Sequence, residues 1–353
     1  FVCGMQLVFL TTHLPSYLDL CGMDPMLSAQ ALGMIGGFNV LGSLFFGHFA
    51  DVYGRRKSYL YSCLLISCGG LLSAASPSFL LLIVFRMLTG FGIGGSSVPF
   101  DLLAEFLPES HRGKFLVFMQ LFWTVGSMLV AAVAWAALPT LGWRFLTLVC
   151  VLPVLFISLY SYYYLPESPR WLLTQGRERE AAQILHDAAA VNNVHLPELL
   201  LVNKSQTVES EGSYFDLVRT APARRITLPL WTIWGLFGFT YFGLILFQSR
   251  VYSNQDAVAG SESDSAKCEF DYGPIFFNAA SESLAVLVSV ALIDQLGRVR
   301  SQAVFYTIGG VAVIAMGVGV SPNAVLFFSI IARMCAMSSS VGNTRICRLV
   351  IFC

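Results

Sequence analysis

The sequence predicts an all-α protein that crosses a membrane many times. Three observations carry that reading: an apolar composition, long stretches without charge, and a motif that occurs twice. Of 353 residues, 56% are hydrophobic and 12% are charged, where soluble domains carry about 25% charged residues. Lys plus Arg equals Asp plus Glu at 21 each, so no basic excess points to nucleic acid and no acidic run points to disorder. Nine cysteines lie mostly in apolar runs and match neither a C-x-x-C pair nor a secreted disulfide framework.

The charge-free stretches place the elements. No Asp, Glu, Lys or Arg stands between Asp24 and Asp51, Lys57 and Arg86, Lys114 and Arg144, Arg144 and Glu167, Arg225 and Arg250, or Arg300 and Arg333. A spanning helix needs about 20 apolar residues. With the apolar stretches around Arg86, Glu282 and Arg333, ten helices are expected at 1–18, 28–50, 58–75, 79–106, 115–138, 145–165, 227–248, 273–293, 301–320 and 323–341. The runs are continuous and lack period-two alternation, which favours helices over barrel strands. Residues 1–165 form an N-terminal bundle, 166–226 an interdomain loop with a surface helix near Arg177 to Ala190 and a polar linker at 203–213, and 227–353 an incomplete second bundle.

Orientation follows from the basic residues. Alternate loops at 55–57, 112–114, 166–226 and 298–300 hold fourteen Lys and Arg, and the opposite set holds three, Arg144, Arg250 and Lys267. The positive-inside rule makes the first set cytoplasmic. The chain starts at Phe1 and shows no readable signal peptide, so its N-terminus reads as clipped.

An internal repeat points to function. Asp51, Gly54, Arg55 and Lys57 recur as Asp294, Gly297, Arg298 and Arg300, both reading D-x-x-G-R-x-[KR]; Arg86-Met87 recurs as Arg333-Met334. Two landmarks in the same order at nearly the same offset argue for two homologous halves, the plan of many secondary transporters, whose site lies near the midplane.

The run Gly47, Asp51, Gly54, Arg55, Arg56, Lys57 resembles the signature loop of the major facilitator superfamily, and Arg86 with Gly90, Gly92 and Gly94 resembles its fourth-helix motif. Leu165-Pro166-Glu167-Ser168-Pro169-Arg170 is similar to the sixth-helix exit of sugar porters, and Glu105 to Pro108 with Arg112-Gly113 to the exit of the fourth. Asp101 to Pro108, Phe122-Trp123, Leu141 to Arg144 and Tyr241 to Leu244 look most like the synaptic-vesicle-related branch, which includes organic-ion carriers. The resemblance implies the major-facilitator fold, in which two six-helix halves rock about a central site. Ten of twelve helices are read here, and past Met337 the expected acidic exit gives way to Gly342 to Cys347, so a truncated or misjoined chain is expected. The seventh helix lacks the paired glutamines of hexose carriers and the fifth lacks the glycine-proline run of drug antiporters.

The candidate residues follow. Gly90, Gly92 and Gly95 satisfy G-x-G-x-x-G, but inside an apolar helix small residues serve close helix packing rather than a dinucleotide. The resemblance implies a gate built from Gly47, Asp51, Gly54, Arg55 and Arg56 with Glu105, Arg112, Glu167 and Arg170, and from Asp294, Gly297 and Arg298 in the second half. An ionised side chain at the bilayer centre costs at least about 2.5–3.5 kcal/mol. Arg86, Asp101, Glu282 and Arg333 therefore are expected to face the bundle interior, as functional groups or as structural ion pairs. Asn278 stands one turn above Glu282, making that carboxylate a candidate for proton coupling or for a cationic solute. Gln120, Trp123, Trp234 and Tyr241 are candidates to line a cavity. The expected function is secondary transport of a small organic solute, driven by a proton gradient and without cofactor or metal. The rival is a membrane receptor or scaffold that kept the fold. No enzyme is read. The expected partners of a monomeric chain are the bilayer and the solute, without nucleic acid.

Overall fold

The computed structural model describes residues 25–107, 109–194, 216–258, 273–318 and 322–351. Helices dominate. They are α1 (Pro25–Tyr53), α2 (Arg55–Ala74), α3 (Phe79–Ile93), α4 (Val98–Phe106), α5 (Glu109–Tyr164), α6 (Pro169–Thr174), α7 (Glu178–Val191), α8 (Asp216–Arg219), α9 (Ala221–Val258), α10 (Gly273–Leu296), α11 (Arg298–Val318) and α12 (Pro322–Ile351). The expected helix at 1–18 and linker at 203–213 lie outside the described residues.

Among the described residues six segments are long and apolar enough to cross a membrane: Gln30–Tyr53, Phe79–Phe106, Phe118–Ala137, Thr140–Tyr164, Ala221–Ile245 and Val299–Val318. Shorter apolar helices occupy Phe276–Ser289 and Ala324–Ser339. The protein is a multi-pass membrane protein. α2 forms where expected but is less apolar, because its buried face is built from Ser58, Ser62, Ser67, Gly69, Gly70 and Ser73. Ser67 and Ser73 turn their hydroxyls back onto the carbonyls of Cys63 and Gly69, which keeps them satisfied inside the unit.

Several boundaries differ from the sequence reading. The helix expected over 79–106 is broken by a 3₁₀ turn at Gly94–Ser97, followed by Pro99 in the first turn of α4; Pro has no N–H to continue the α ladder. The expected helices at 115–138 and 145–165 run into one another as α5, with the direction changed at Gly142, φ 73°. Such a positive φ is open to glycine and rare elsewhere. α9 continues to Val258 and α12 to Ile351, past the expected helix ends at 248 and 341. The short α6 was not foreseen. It begins with Ser168 accepting from Trp171 N–H and with Pro169 in the first turn, the preferred chemistry of a helix start.

The described residues divide into two compact units. One takes the described residues within Gly33–Arg112 and Val151–Ser213, the other those within 25–32, Gly113–Cys150 and Tyr214–Cys353. In the first, helix contacts are made through small residues. A Cβ at Gly42 would strike the Phe91 carbonyl, and one at Gly90 would come within 2.7 Å of the Ile35 carbonyl. Gly92 and Gly95 likewise meet Ile66 and Ser62, so the glycine run serves packing, as expected from its setting. In the second unit α12 packs against α9, α10 and α11, and Ala285, Val286 and Met337 form a buried cluster that Leu121, Trp123 and Met334 cover.

Candidate functional site

Two polar constellations stand out, one in each unit. The first surrounds the start of α2. Gly54 leaves α1 with φ 105° and ψ 154°, which reverses the chain and delivers Arg55 and Arg56 to the α2 N-terminus. Arg55 Nη1 lies 2.5 Å from Asp51 Oδ1, and its Nε lies 3.5 Å from Glu105 Oε1. Burial alone would lower the Arg55 pKa. The carboxylates of Glu105 and Asp51, with a further contribution from Asp101, outweigh that and raise it above the usual guanidinium value, so the cation is permanent at any working pH.

Glu167 completes this constellation. Its Oε1 accepts from the backbone N–H groups of Arg56 and Ser168, each at 3.0 Å, and a Cβ on Gly54 would collide with its carboxylate. A carboxylate at the orphan N–H groups of a helix start is stabilised by those donors and by the helix dipole. Ser168 donates its hydroxyl to Glu105. Arg56 Nη2 donates to the Tyr162 carbonyl at 2.5 Å, and Trp171 Nε1 donates to the Asp51 carbonyl at 2.8 Å.

Thus four segments of the sequence, 51–56, 105, 162 and 167–171, are tied together. Glu105 meets Arg55 as expected. The Asp51 side chain is 68% exposed and meets Arg55 four residues on, and its backbone carbonyl makes the longer-range tie. Ser168 and Trp171 were missed by the sequence reading, although Ser-Pro before an apolar run is a helix-start signal. Gly47 is half-buried and Arg170 exposed. The side chains of Arg112, Asp294 and Arg298 lie outside the described residues, while Gly297 has φ 79°, the counterpart of Gly54.

The second constellation is buried. Asn278, Glu282, Ala285 and Val286 share one face of α10, and Ser329, Arg333, Ala336 and Met337 share one face of α12, by the three- and four-residue spacing of a helix. Arg333 Nε donates to Glu282 Oε1 at 2.5 Å, with side chains 3% and 0% exposed. Tyr241 from α9 donates its hydroxyl to the same oxygen at 3.1 Å, and the Arg333 guanidinium lies 5.9 Å over the Tyr241 ring. Glu282 Oε2 is buried without a hydrogen bond among the described residues. One turn away Ser329 donates to Asn278 Oδ1 at 3.5 Å.

α5 closes the cluster. Thr124 Oγ1 accepts from Ser283 at 3.1 Å, Gln120 reaches the Met337 sulfur at 3.9 Å, and Trp123 lies against Met337 and its neighbours. The structure thereby brings Gln120, Asn278, Glu282 and Arg333 together, with Tyr241 as the residue that joins a third helix to the pair. Arg86, the sequence counterpart of Arg333, is buried at mid-helix in the other unit at 1% exposure, while Asp101 is exposed.

A multi-pass helical membrane fold with a buried ion pair at mid-helix is what these features define. The family model described as sugar (and other) transporter matches residues 29–344, and the chain belongs to that family, within the major facilitator superfamily. It is 32% identical over 302 residues to the synaptic vesicle 2-related protein of Xenopus laevis, covering 82% of this chain and 54% of that one. With the organic cation/carnitine transporter 7 of Arabidopsis thaliana it shares 27% over 335 residues, 85% of this chain and 67% of that one. The chain thus spans little more than half the length of the Xenopus relative. Its fold is similar to the partially occluded, inward-open xylose transporter XylE of E. coli, with a TM-score of 0.70 at 17% identity over 99% of this chain and 85% of that one.

Proposed function

We propose that the protein is a secondary transporter of a small organic solute, working by alternating access and coupled to protons. The observation that carries the reading is the Arg333–Glu282–Tyr241 cluster. An ion pair held at mid-helix away from water is costly to build, and in a membrane protein such a group is a functional hypothesis by default. Here it ties α9, α10 and α12 at one carboxylate oxygen, so loss of the Glu282 charge loosens three helices together. The Arg55–Glu105–Glu167 constellation suits a cytoplasmic gate that holds one state until the cycle turns over. In this reading residues 1–165 and 227–353 are the two halves, 166–226 is cytoplasmic, and the protein resides in the plasma membrane or in an intracellular vesicle membrane. The relatives' names and the family support transport of organic ions or sugar-like metabolites.

Uptake into liposomes that hold the full-length protein tests it, with organic cations, anions and sugars offered with and without an inward proton gradient. Flux of one class that the gradient accelerates is expected. No flux of any class would favour a receptor or scaffold that kept the fold.

A further inference from the structure

The hydrogen bonds that reach Glu282 from α5 and α9 have a direction. An indole N–H only donates, a phenol has one proton to give and lone pairs to accept with, and an ionised carboxylate only accepts. Trp123 of α5 hydrogen-bonds the Tyr241 hydroxyl, which lies 3.1 Å from Glu282 Oε1. The indole therefore occupies a lone pair of the phenol oxygen and leaves the phenol proton for the carboxylate.

Packing fixes the ring that carries this hydroxyl. Tyr241 stacks on Phe237 with centroids 5.6 Å apart, meets Phe242 edge-on at 5.4 Å, and shares a buried cluster with Ile245 and Ala336. Arg333 of α12 donates to the same Oε1 and lies over the Tyr241 ring. Among the described titratable and charged groups, Arg333 and Tyr241 are the ones that face Glu282. α5 brings Trp123 and, through Ser283, Thr124, neither of which titrates. Cys335 of α12 stands against Gly309 of α11, and Arg300 and Tyr306 of α11 are exposed.

A hydroxyl that donates to a carboxylate favours the ionised form over the neutral acid. A second donor behind that hydroxyl orients it and strengthens its donation. We infer that Tyr241 is a positioning residue for the proton step: oriented by Trp123, it donates to Glu282 Oε1 and sets the pH at which that carboxyl exchanges a proton with water. The carboxyl O–H is the one bond made and broken, and Tyr241 keeps its own proton throughout. This rests on the proton-coupled reading above and adds the control of its pH range.

Infrared titration of the purified full-length protein tests the inference without transport. The protonated-carboxyl stretch of Glu282 is the band missing when Glu282→Gln is combined with Arg333→Gln, a neutral pair that strands no buried charge. Tyr241→Phe keeps the ring and removes the hydroxyl, and should move the titration midpoint of that band to higher pH by about one unit, the size of a lost hydrogen bond to a charged group. Trp123→Phe should move it in the same direction by less. The double variant should match Tyr241→Phe, because Trp123 acts through the hydroxyl. Uptake of tetraethylammonium, benzoate and xylose into liposomes, with and without an inward proton gradient, is the second readout, and the pH midpoint of any proton-driven flux should shift with the band. A band that does not titrate, a midpoint unmoved or lowered in Tyr241→Phe, or a Trp123→Phe shift that adds to it would each overturn the inference and leave transport standing. So would uptake by Tyr241→Phe that falls by one factor at every pH, the mark of a structural tie. Band shifts as expected with no flux, or with flux indifferent to the gradient, would overturn the coupled-transport reading and leave the positioning role standing.

Discussion

Gly54 shows how one residue sets a site. Its φ of 105° and ψ of 154° fall in a region that is essentially glycine's own, where another residue is strained by about 1–3 kcal/mol. A side chain would also meet the Glu167 carboxylate, the group that caps α2. Gly54→Ala should therefore lower the thermal unfolding midpoint in detergent by several degrees, and Glu167→Ala added to it should relieve the collision but not the backbone strain. A midpoint equal to the parent's would refute this account. The sequence motif located Asp51, Gly54 and Arg55 because they are close in the chain. It did not show that Glu167, 111 residues from Arg56, accepts from that residue's N–H, since contacts at such separation depend on how the helices pack. The Glu282–Arg333 pair is similar: each charge stood out against an apolar helix, whereas their meeting through one oxygen, with Tyr241, required the fold.

At the scale of elements, charge-free runs located the described spans well because lipid tolerates few ionised groups. Their interruptions were less legible. The break at Gly94 and the turn at Gly142 are backbone events inside apolar sequence, where hydropathy is silent. Close packing is equally hidden, since a glycine that faces lipid and one that faces a neighbouring helix look alike in sequence. Gly36 and Gly42 of α1 separate the cases. A Cβ at Gly36 meets nothing within 4 Å, whereas one at Gly42 runs into the backbone of Phe91, which cannot rotate away. Gly42→Ala should destabilise by about 1–3 kcal/mol, as overpacking does, while Gly36→Ala should be neutral or slightly stabilising through helix propensity. Unfolding by denaturing detergent compares them, and equal effects would show that α1 does not approach α3 this closely.

At the scale of the molecule, the two constellations have different duties in a transport cycle and should answer to pH differently. Asp51→Asn removes an exposed pair between residues four apart, an interaction worth about 0.3–0.5 kcal/mol, so uptake should change by less than about threefold. Arg55→Gln removes the cation that Glu105 and Asp51 both meet and should have the larger effect. Both substitutions bias a conformational equilibrium without touching the buried pair, so each should scale uptake by the same factor at every pH. Glu282→Gln keeps the shape but removes the charge opposite Arg333, which lowers stability by stranding a buried cation, and uptake by the protein that folds should lose its pH dependence. Initial rates in liposomes across a range of external pH measure all three. A flat profile in Arg55→Gln with an intact one in Glu282→Gln would reverse the assignment, placing the titrating group at the gate and leaving the buried pair a structural tie.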